Sequence, residues 1–223
     1  MEYREWEPYY QQILSDFGFD RRRDEQAALI LSQLLPPVTD APVELRRALG
    51  GKVVTVLGNA PGLEAELPHA TGTVIAADEA VSVALSKGIL PDIVVTDLDG
   101  RIEDLLVAAK RGSIVIIHAH GDNMPALKKW AGRFSSSCMG TTQSRPFANI
   151  HNFGGFTDGD RAAFLADHFG AREIRLIGFD FEKPNPKDQP PEVKMKKLAW
   201  AKKLLGILRR RCPILFPSSS SSG

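Results

Sequence analysis

From Lys52 onward the chain alternates short runs of β-branched and aliphatic residues with stretches of helical composition, and no other feature limits its possible folds as much. The runs are KVVTVLG (52–58), GTVIAAD (72–78), DIVVTDLDG (92–100), SIVIIHAHGDN (113–123) and EIRLIGFDF (173–181). Each is apolar at successive positions rather than alternate ones, which suits a strand covered on both faces in a parallel sheet. Between them lie AVSVALSKG (80–88), DLLVAAKRG (104–112) and RAAFLADHFG (161–170). Each of these ends near glycine, the residue that most readily takes the left-handed turn closing a helix. The order predicts an α/β protein with a Rossmann-like, doubly wound and mainly parallel sheet over residues 50–216.

Residues 1–49 read as an N-terminal helical region. Ala27, Ile30, Leu31 and Leu34 fall on one helical face there, and Pro36 and Pro37 stop the helix. Near the other end, 193–211 read as a basic amphipathic helix with Met195, Leu198, Leu205 and Leu208 on one side. Lys194, Lys196, Lys197, Lys202, Lys203 and Arg209–Arg211 make that helix either a solvated face or an attractor for anions. The serine-rich segment 217–223 can bury nothing and is expected to be a disordered tail. Two cysteines, Cys138 and Cys212, are too few for a disulfide framework and suggest a reducing compartment. The opening MEYREWEPYY does not read as a secretory leader, and no apolar run approaches the roughly 20 residues that span a bilayer. A soluble, cytoplasmic protein without a membrane partner is expected.

In a doubly wound sheet, ligands bind beyond the carboxyl ends of the strands. Here those ends carry GNAPG, ADE, TDLDG and HAHGDN, all polar or glycine-rich, whereas the strands are apolar. If the strand persists through TDLDG, Asp97 and Asp99 point the same way and Leu98 the other. Two adjacent carboxylates repel unless a cation sits between them, and Mg²⁺ favours such ligands. The competing reading is a polar turn after a strand. An aspartyl-phosphate phosphatase would need Thr or Val where Arg101 stands. A sugar-nucleotide transferase also uses Asp-x-Asp.

His118-x-His120-x-Asp122 imitates the metal run of zinc hydrolases, but Asn123 follows where those enzymes have histidine. Capping groups at a strand end are the alternative. GNAPGLE, with Gly58 and Asn59, suits either a phosphate-facing turn or an ordinary tight one; it lacks the dinucleotide fingerprint. Asp78 lies about where a ribose-binding carboxylate falls in dinucleotide folds. In NFGGFTDGDRA, Thr157 and Asp160 predict a capping box, which leaves Asp158 unexplained; Arg161 faces either phosphate or solvent.

Taken together, GILPDIVVTDLDG, HAHGDN, GTTQ, NFGGFTDGDRAAFLA and GFDF, in this order behind a helical region, resemble the archaeal 6-hydroxymethyl-7,8-dihydropterin diphosphokinase family. AADEA, PDIVVTDLDG and TDGDRA are similar, more distantly, to thiamine diphosphokinase motifs. The resemblance implies Mg²⁺-dependent transfer of a diphosphoryl group from ATP to a pterin alcohol, with release of AMP, in folate or methanopterin synthesis. It implies Asp97 and Asp99 as metal ligands, completed or oriented by Asp78 and Asp158, with Asp97, Asp99 and Asp158 catalytic. It also implies that His118, His120, Asp122, Asn123, Thr141, Thr142 and Gln143 line the ATP and pterin pockets. Gly58, Asn59, Asn152, Gly154, Gly155 and Arg161 are further candidates there. Two departures are GNAPGLE, where relatives tend to Gly-Pro-Ser-Leu, and Glu79, where glycine is usual. The rivals are a thiamine acceptor, a sugar-nucleotide transferase, and a non-catalytic nucleotide- or RNA-binding module. Nucleic acid is the lesser partner, since no aromatic-rich RNA module accompanies the basic helix, and a homo-oligomer is compatible with the sequence.

Overall fold

The computed structural model describes residues 1–37, 39–134, 138–186 and 190–216, so the expected tail at 217–223 lies outside the described residues. Five strands form where the apolar runs predict them: β1 (Val53–Leu57), β2 (Thr73–Ala77), β3 (Ile93–Thr96), β4 (Ile114–Ala119) and β7 (Glu173–Ile177). Three more were not read from the sequence: β5 (Cys138–Thr142) and the two-residue β6 (Ile150–His151) and β8 (Ile214–Leu215). They join one eight-stranded sheet in the order β6-β5-β4-β3-β2-β1-β7-β8, with every neighbouring pair parallel.

Successive strand residues feed opposite layers, which is why the runs are apolar throughout. Val54, Val56, Ile75, Ile93, Val95, Ile114 and Ile116 face one core with α1 (Tyr3–Phe17), α3 (Ala41–Leu49), α8 (Asp158–His168) and α9 (Pro191–Leu208). Leu57, Val74, Ala76, Val94, Val115 and Ile117 face the other with α2 (Arg21–Leu34), α4 (Leu63–Glu66), α5 (Ala80–Ser86), α6 (Ile102–Lys110) and α7 (Met124–Trp130). Full burial of one such side chain is worth about 1.5–3 kcal/mol. Residues 1–49 are helical as read, and they contribute to both layers. Trp6, Tyr10, Ile13, Leu45 and Leu49 belong to the first core, Ala27 and Leu31 to the second.

The helical face of α9 differs from the expected one. Leu205 and Leu208 are buried with Trp200, Ala201 and Leu204, but Met195 is 37% exposed. The first turns of α9 line a cavity through Lys194, Lys197 and Leu198, so 3.6-residue spacing there places side chains against that cavity instead of a core. No helix among the described residues is long and apolar enough to cross a membrane.

The winding reverses at β1. From β1 to β6 each strand adds on one side, whereas β7 returns to the other side of β1 and β8 lies beyond it. Connections leaving β1 and β7 therefore diverge, which opens a crevice at their carboxyl ends. The two departing loops touch at glycines. Gly58 N–H donates to the Ile177 carbonyl and Ala60 N–H to the Gly178 carbonyl, both at 2.8 Å. A Cβ on Gly58 would stand 2.6 Å from the Gly178 carbonyl oxygen, and Gly178 has a φ of +68°. Neither position has room for a side chain.

Candidate active site

Along this crevice the strand ends form a cavity of about 400 Å³. Asp78 follows β2 with a φ of 42°, held by its N–H to the Val95 carbonyl at 2.7 Å. Its buried carboxylate accepts the Thr96 hydroxyl. β3 stops at Thr96, one residue before the Asp-x-Asp pair, because Leu98 takes a φ of 67° while its N–H donates to Thr96 Oγ1 at 2.8 Å. The strand alternation therefore does not extend to the pair. Asp97 is half-buried, Leu98 is buried in the layer and Asp99 is exposed, with the Asp99 N–H 3.2 Å from Asp97 Oδ1.

The third acid arrives from far along the chain. Thr157 and Asp160 form the expected capping box at the start of α8. The Asp160 carboxylate also accepts the Phe156 N–H at 2.9 Å. Asp158, not needed for the cap, projects into the cavity and pairs at 2.7 Å with Arg161. Arg161 is itself buried and donates to the Phe156 carbonyl at 2.8 Å, with its Nε unpartnered. Each of Asp78, Asp97 and Asp158 offers an oxygen within 4.8 Å of the others.

Crowded acids move one another's proton equilibria. Burial, then the charges of Asp158 and Asp99, push the Asp78 carboxyl up to about 9. Burial also drives Asp158 well above the ordinary range, with Asp97 adding to it and Arg161 opposing. Burial works in the same direction on Asp97, but the hydrogen bond and charge of His120 outweigh it and hold this carboxyl below the usual range. Asp99, though exposed on its outer side, is pushed up to about 6 by partial desolvation within the cavity and by the charge of Asp97. Three oxygen donors at this spacing, two of them with proton affinity raised for want of a positive charge, fit a hard divalent cation.

HAHGDN builds the wall beside this triad. His120 Nε2 lies 3.2 Å from Asp97 Oδ2. Asn123 fastens the turn from within, donating to the Asp97 and His118 carbonyls at 2.8 and 2.7 Å and accepting the His120 N–H at 3.0 Å. Thr141 gives its hydroxyl proton to the Ile117 carbonyl at 3.3 Å, so its oxygen receives His118 Nδ1–H at 3.1 Å. His118 Nε2 is left a bare acceptor, buried and unpartnered, on a ring whose pKa is held well below its ordinary value by burial, Arg161 and His120. Among the described residues, the metal-capable group contains no histidine, which gives the zinc-hydrolase reading no footing.

The cavity thus gathers Gly58, Asn59, Asp78, Asp97, Asp99, His118, His120, Asp122, Gln143, Asp158 and Arg161. The remaining candidates lie in the walls. Asn123 and Thr141 act as described, and the Thr142 hydroxyl accepts the Ser144 N–H at 3.2 Å. Asn152 donates to the Gln143 and Ser144 carbonyls at 3.1 and 2.8 Å, and Gly154 and Gly155 shape the turn into α8 with φ of +90° and +91°. Sequence reading missed Phe19, Phe156, Phe179, Phe181, Lys183 and Asn185, which also line the cavity. The signal for two of them was present in GFDF, a strand end like the other four. Lys194 and Lys197 of the basic helix line the cavity too.

Residues 32–186 match the family model described as 6-hydroxymethylpterin diphosphokinase MptE-like. The chain is 44% identical to a 6-hydroxymethyl-7,8-dihydropterin pyrophosphokinase of Pyrococcus furiosus, over 94% of this chain and 95% of that one. It is 36% identical to the protein of the same name from Methanocaldococcus jannaschii, over 97% and 99%. Among solved structures, the MAf glycosyltransferase of Magnetospirillum magneticum AMB-1 aligns with a TM-score of 0.45 and 16% identity, over 82% of this chain and 38% of that one. Nearly end-to-end identity at this level, with a family match across most of the sheet, has one reading: the chain belongs to the MptE-like family of 6-hydroxymethylpterin diphosphokinases.

Proposed function

We propose that the protein transfers a diphosphoryl group from ATP to the hydroxymethyl oxygen of 6-hydroxymethyl-7,8-dihydropterin, with release of AMP, and that Mg²⁺ is required. The observation that carries this reading is the position of the acid triad between two arms of one cavity that differ in chemistry. On the β1/β7 side stand Asn59, Phe179, Phe181, Lys183, Lys194 and Lys197, cationic and aromatic, suited to a nucleotide with its phosphates. On the β4/β5 side stand Phe19, His118, His120 and Gln143, suited to an uncharged heterocycle. Asp78 and Asp97 end the strands between them.

In the transfer the acceptor oxygen forms a bond to the β-phosphorus and gives up its proton to solvent as the bond to the α–β bridging oxygen breaks, and AMP leaves with that electron pair. Positioning and electrostatics do most of such work. Asp78, Asp97 and Asp158 would hold Mg²⁺, which would supply charge neutralisation for the phosphates and the leaving group. The lysines hold the polyphosphate, and Arg161 keeps Asp158 in place by their 2.7 Å pair. His118 Nε2, a neutral acceptor, orients the acceptor hydroxyl by taking its hydrogen bond.

Phosphorus NMR on protein with ATP, Mg²⁺ and the pterin tests the reaction, with thiamine and acceptor-free samples alongside. AMP and a pterin diphosphate are expected with the pterin alone, and neither after EDTA. AMP with thiamine alone would move the acceptor. No AMP with either acceptor, from folded protein, would sink the proposal.

A further inference from the structure

A buried carboxylate outside the triad decides which way one cavity amide faces. Asp24, in the first turn of α2 and 3% exposed, receives three donors from three parts of the chain. Tyr10 of α1 donates its hydroxyl to Oδ2 at 2.6 Å. Gly121, in the turn after β4, donates its N–H to Oδ1 at 2.8 Å. Gln143, just after β5, donates Nε2–H to Oδ2 at 2.7 Å. A carboxylate only accepts, so the amide of Gln143 must present its NH₂ to Asp24. Its carbonyl Oε1 then points elsewhere, and among the described residues nothing donates to it. Gln143 lines the main cavity and also a smaller hollow of about 120 Å³, which Phe19, Arg23, Asp24 and His120 line as well.

We propose that Gln143 Oε1 reads an N–H donor on the acceptor ring, the 2-amino group of the pterin, and that Asp24 is the positioning residue that fixes the amide in this sense. The assignment rests on the pterin reading above. The sheet supplies the distance: β5 lies two strands beyond β3, about 10 Å at the usual spacing. A pterin whose 6-hydroxymethyl oxygen sits over the triad carries its 2-amino group at the far end of the ring from that oxygen. It therefore reaches towards β5 and the hollow under Phe19. A site built around one acceptor rejects a ring that lacks the donor, because the amide oxygen is left without a partner.

Exchange of hydrogen-bonding sense tests this. In Asp24→Asn, the oxygen stays with the Gly121 N–H, which can only donate, so the new NH₂ takes the place of Oδ2 and meets both Gln143 and the Tyr10 hydroxyl, which can turn to accept. The Gln143 amide turns over and faces the ring with its own NH₂. The KM for the pterin should rise on the order of tenfold or more, while the KM for ATP stays within about twofold. Asp24→Asn combined with Gln143→Glu returns an acceptor to the ring, since one carboxylate oxygen takes the Asn proton and the other faces the cavity. It should recover most of the loss. Tyr10→Phe removes a donor from Asp24 without turning the amide and should leave the pterin KM unchanged. A pterin KM raised equally by Tyr10→Phe and Asp24→Asn would reduce Asp24 to a packing role and overturn the assignment. So would a rise in the ATP KM instead, or a double variant no better than the single one.

If Asp24→Asn does not fold, calorimetry on the unmodified protein still decides. It should bind the pterin about tenfold or more tightly than the analogue with methyl in place of the 2-amino group, and equal affinities overturn the assignment. Unmodified protein that turns over the pterin while these comparisons fail condemns the amide assignment alone. Unmodified protein inert with the pterin sinks the reaction and this assignment together.

Discussion

Asp97 is the acid whose charge the surrounding groups protect, through His120 at 3.2 Å and the charge of Arg161. Asp97→Asn should keep the fold and lower turnover by about a thousandfold or more, because it removes the charge proposed to hold the metal while leaving volume and hydrogen bonds nearly intact. A folded variant with near-normal AMP release would end the metal role. Asp78 leads to a second prediction, for protein stripped of metal. Its folded pKa of about 9 lies above the unfolded value near 3.8, so the folded state keeps a proton that the unfolded chain gives up. That contribution is complete below the unfolded pKa and is lost as pH rises towards 9. Asp97, shifted the other way, is ionised in both states above pH 6 and adds no slope there. Thermal melts in EDTA should therefore show Tm falling by several degrees from pH 6 to 8.5, and Mg²⁺ should flatten the fall. A pH-independent Tm in EDTA would contradict the crowding of these acids. That a pair of acids ends β3 was legible in the sequence. The identity of the three that converge was not: it depends on a left-handed Leu98 and on Asp158, sixty-one residues beyond Asp97.

Strands and helices were readable where periodicity and chemistry agreed. Continuous apolar runs revealed five strands because both faces are covered, and Thr157 with Asp160 revealed the start of α8. Breaking that box by Thr157→Ala should cost about 1 kcal/mol in denaturant melts. It should also impair catalysis more than so small a loss explains, because the cap aims Asp158. Unchanged turnover would separate the cap from the site. β5 escaped because its sequence, CMGTT, carries a glycine where a strand residue normally packs. The structure explains it: a Cβ on Gly140 would stand 2.5 Å from Ile150 Cδ1, 3.1 Å from Leu35 Cδ1 and 3.2 Å from Leu31 Cδ2. The side chain is missing because α2 and β6 already fill its place. β6 and β8, two residues each, are too short for any period to register.

At the scale of the molecule, the N-terminal helices are walls of the cavity as well as layers of the core. Trp6 donates its indole N–H to the Gln143 carbonyl at 2.8 Å, and Asp24 ties α2 to the turn after β4. Deleting residues 1–34 should therefore yield a chain with weak amide-exchange protection in β4 and β5, not a smaller working enzyme. A truncated protein with native protection there would show the helices to be dispensable. The return of β7 to the side of β1 has a consequence in time. During synthesis β1 emerges early, and its second edge stays unpaired until residues 173–177 have been made. Pairing so distant in sequence is slow to form, and the open apolar edge is exposed to wrong partners meanwhile. The loops that meet at Gly58 and Gly178 come together only when β7 docks. The cavity is thus among the last parts of the protein to exist, and a chain stalled before its final quarter has a sheet but only one side of that cavity.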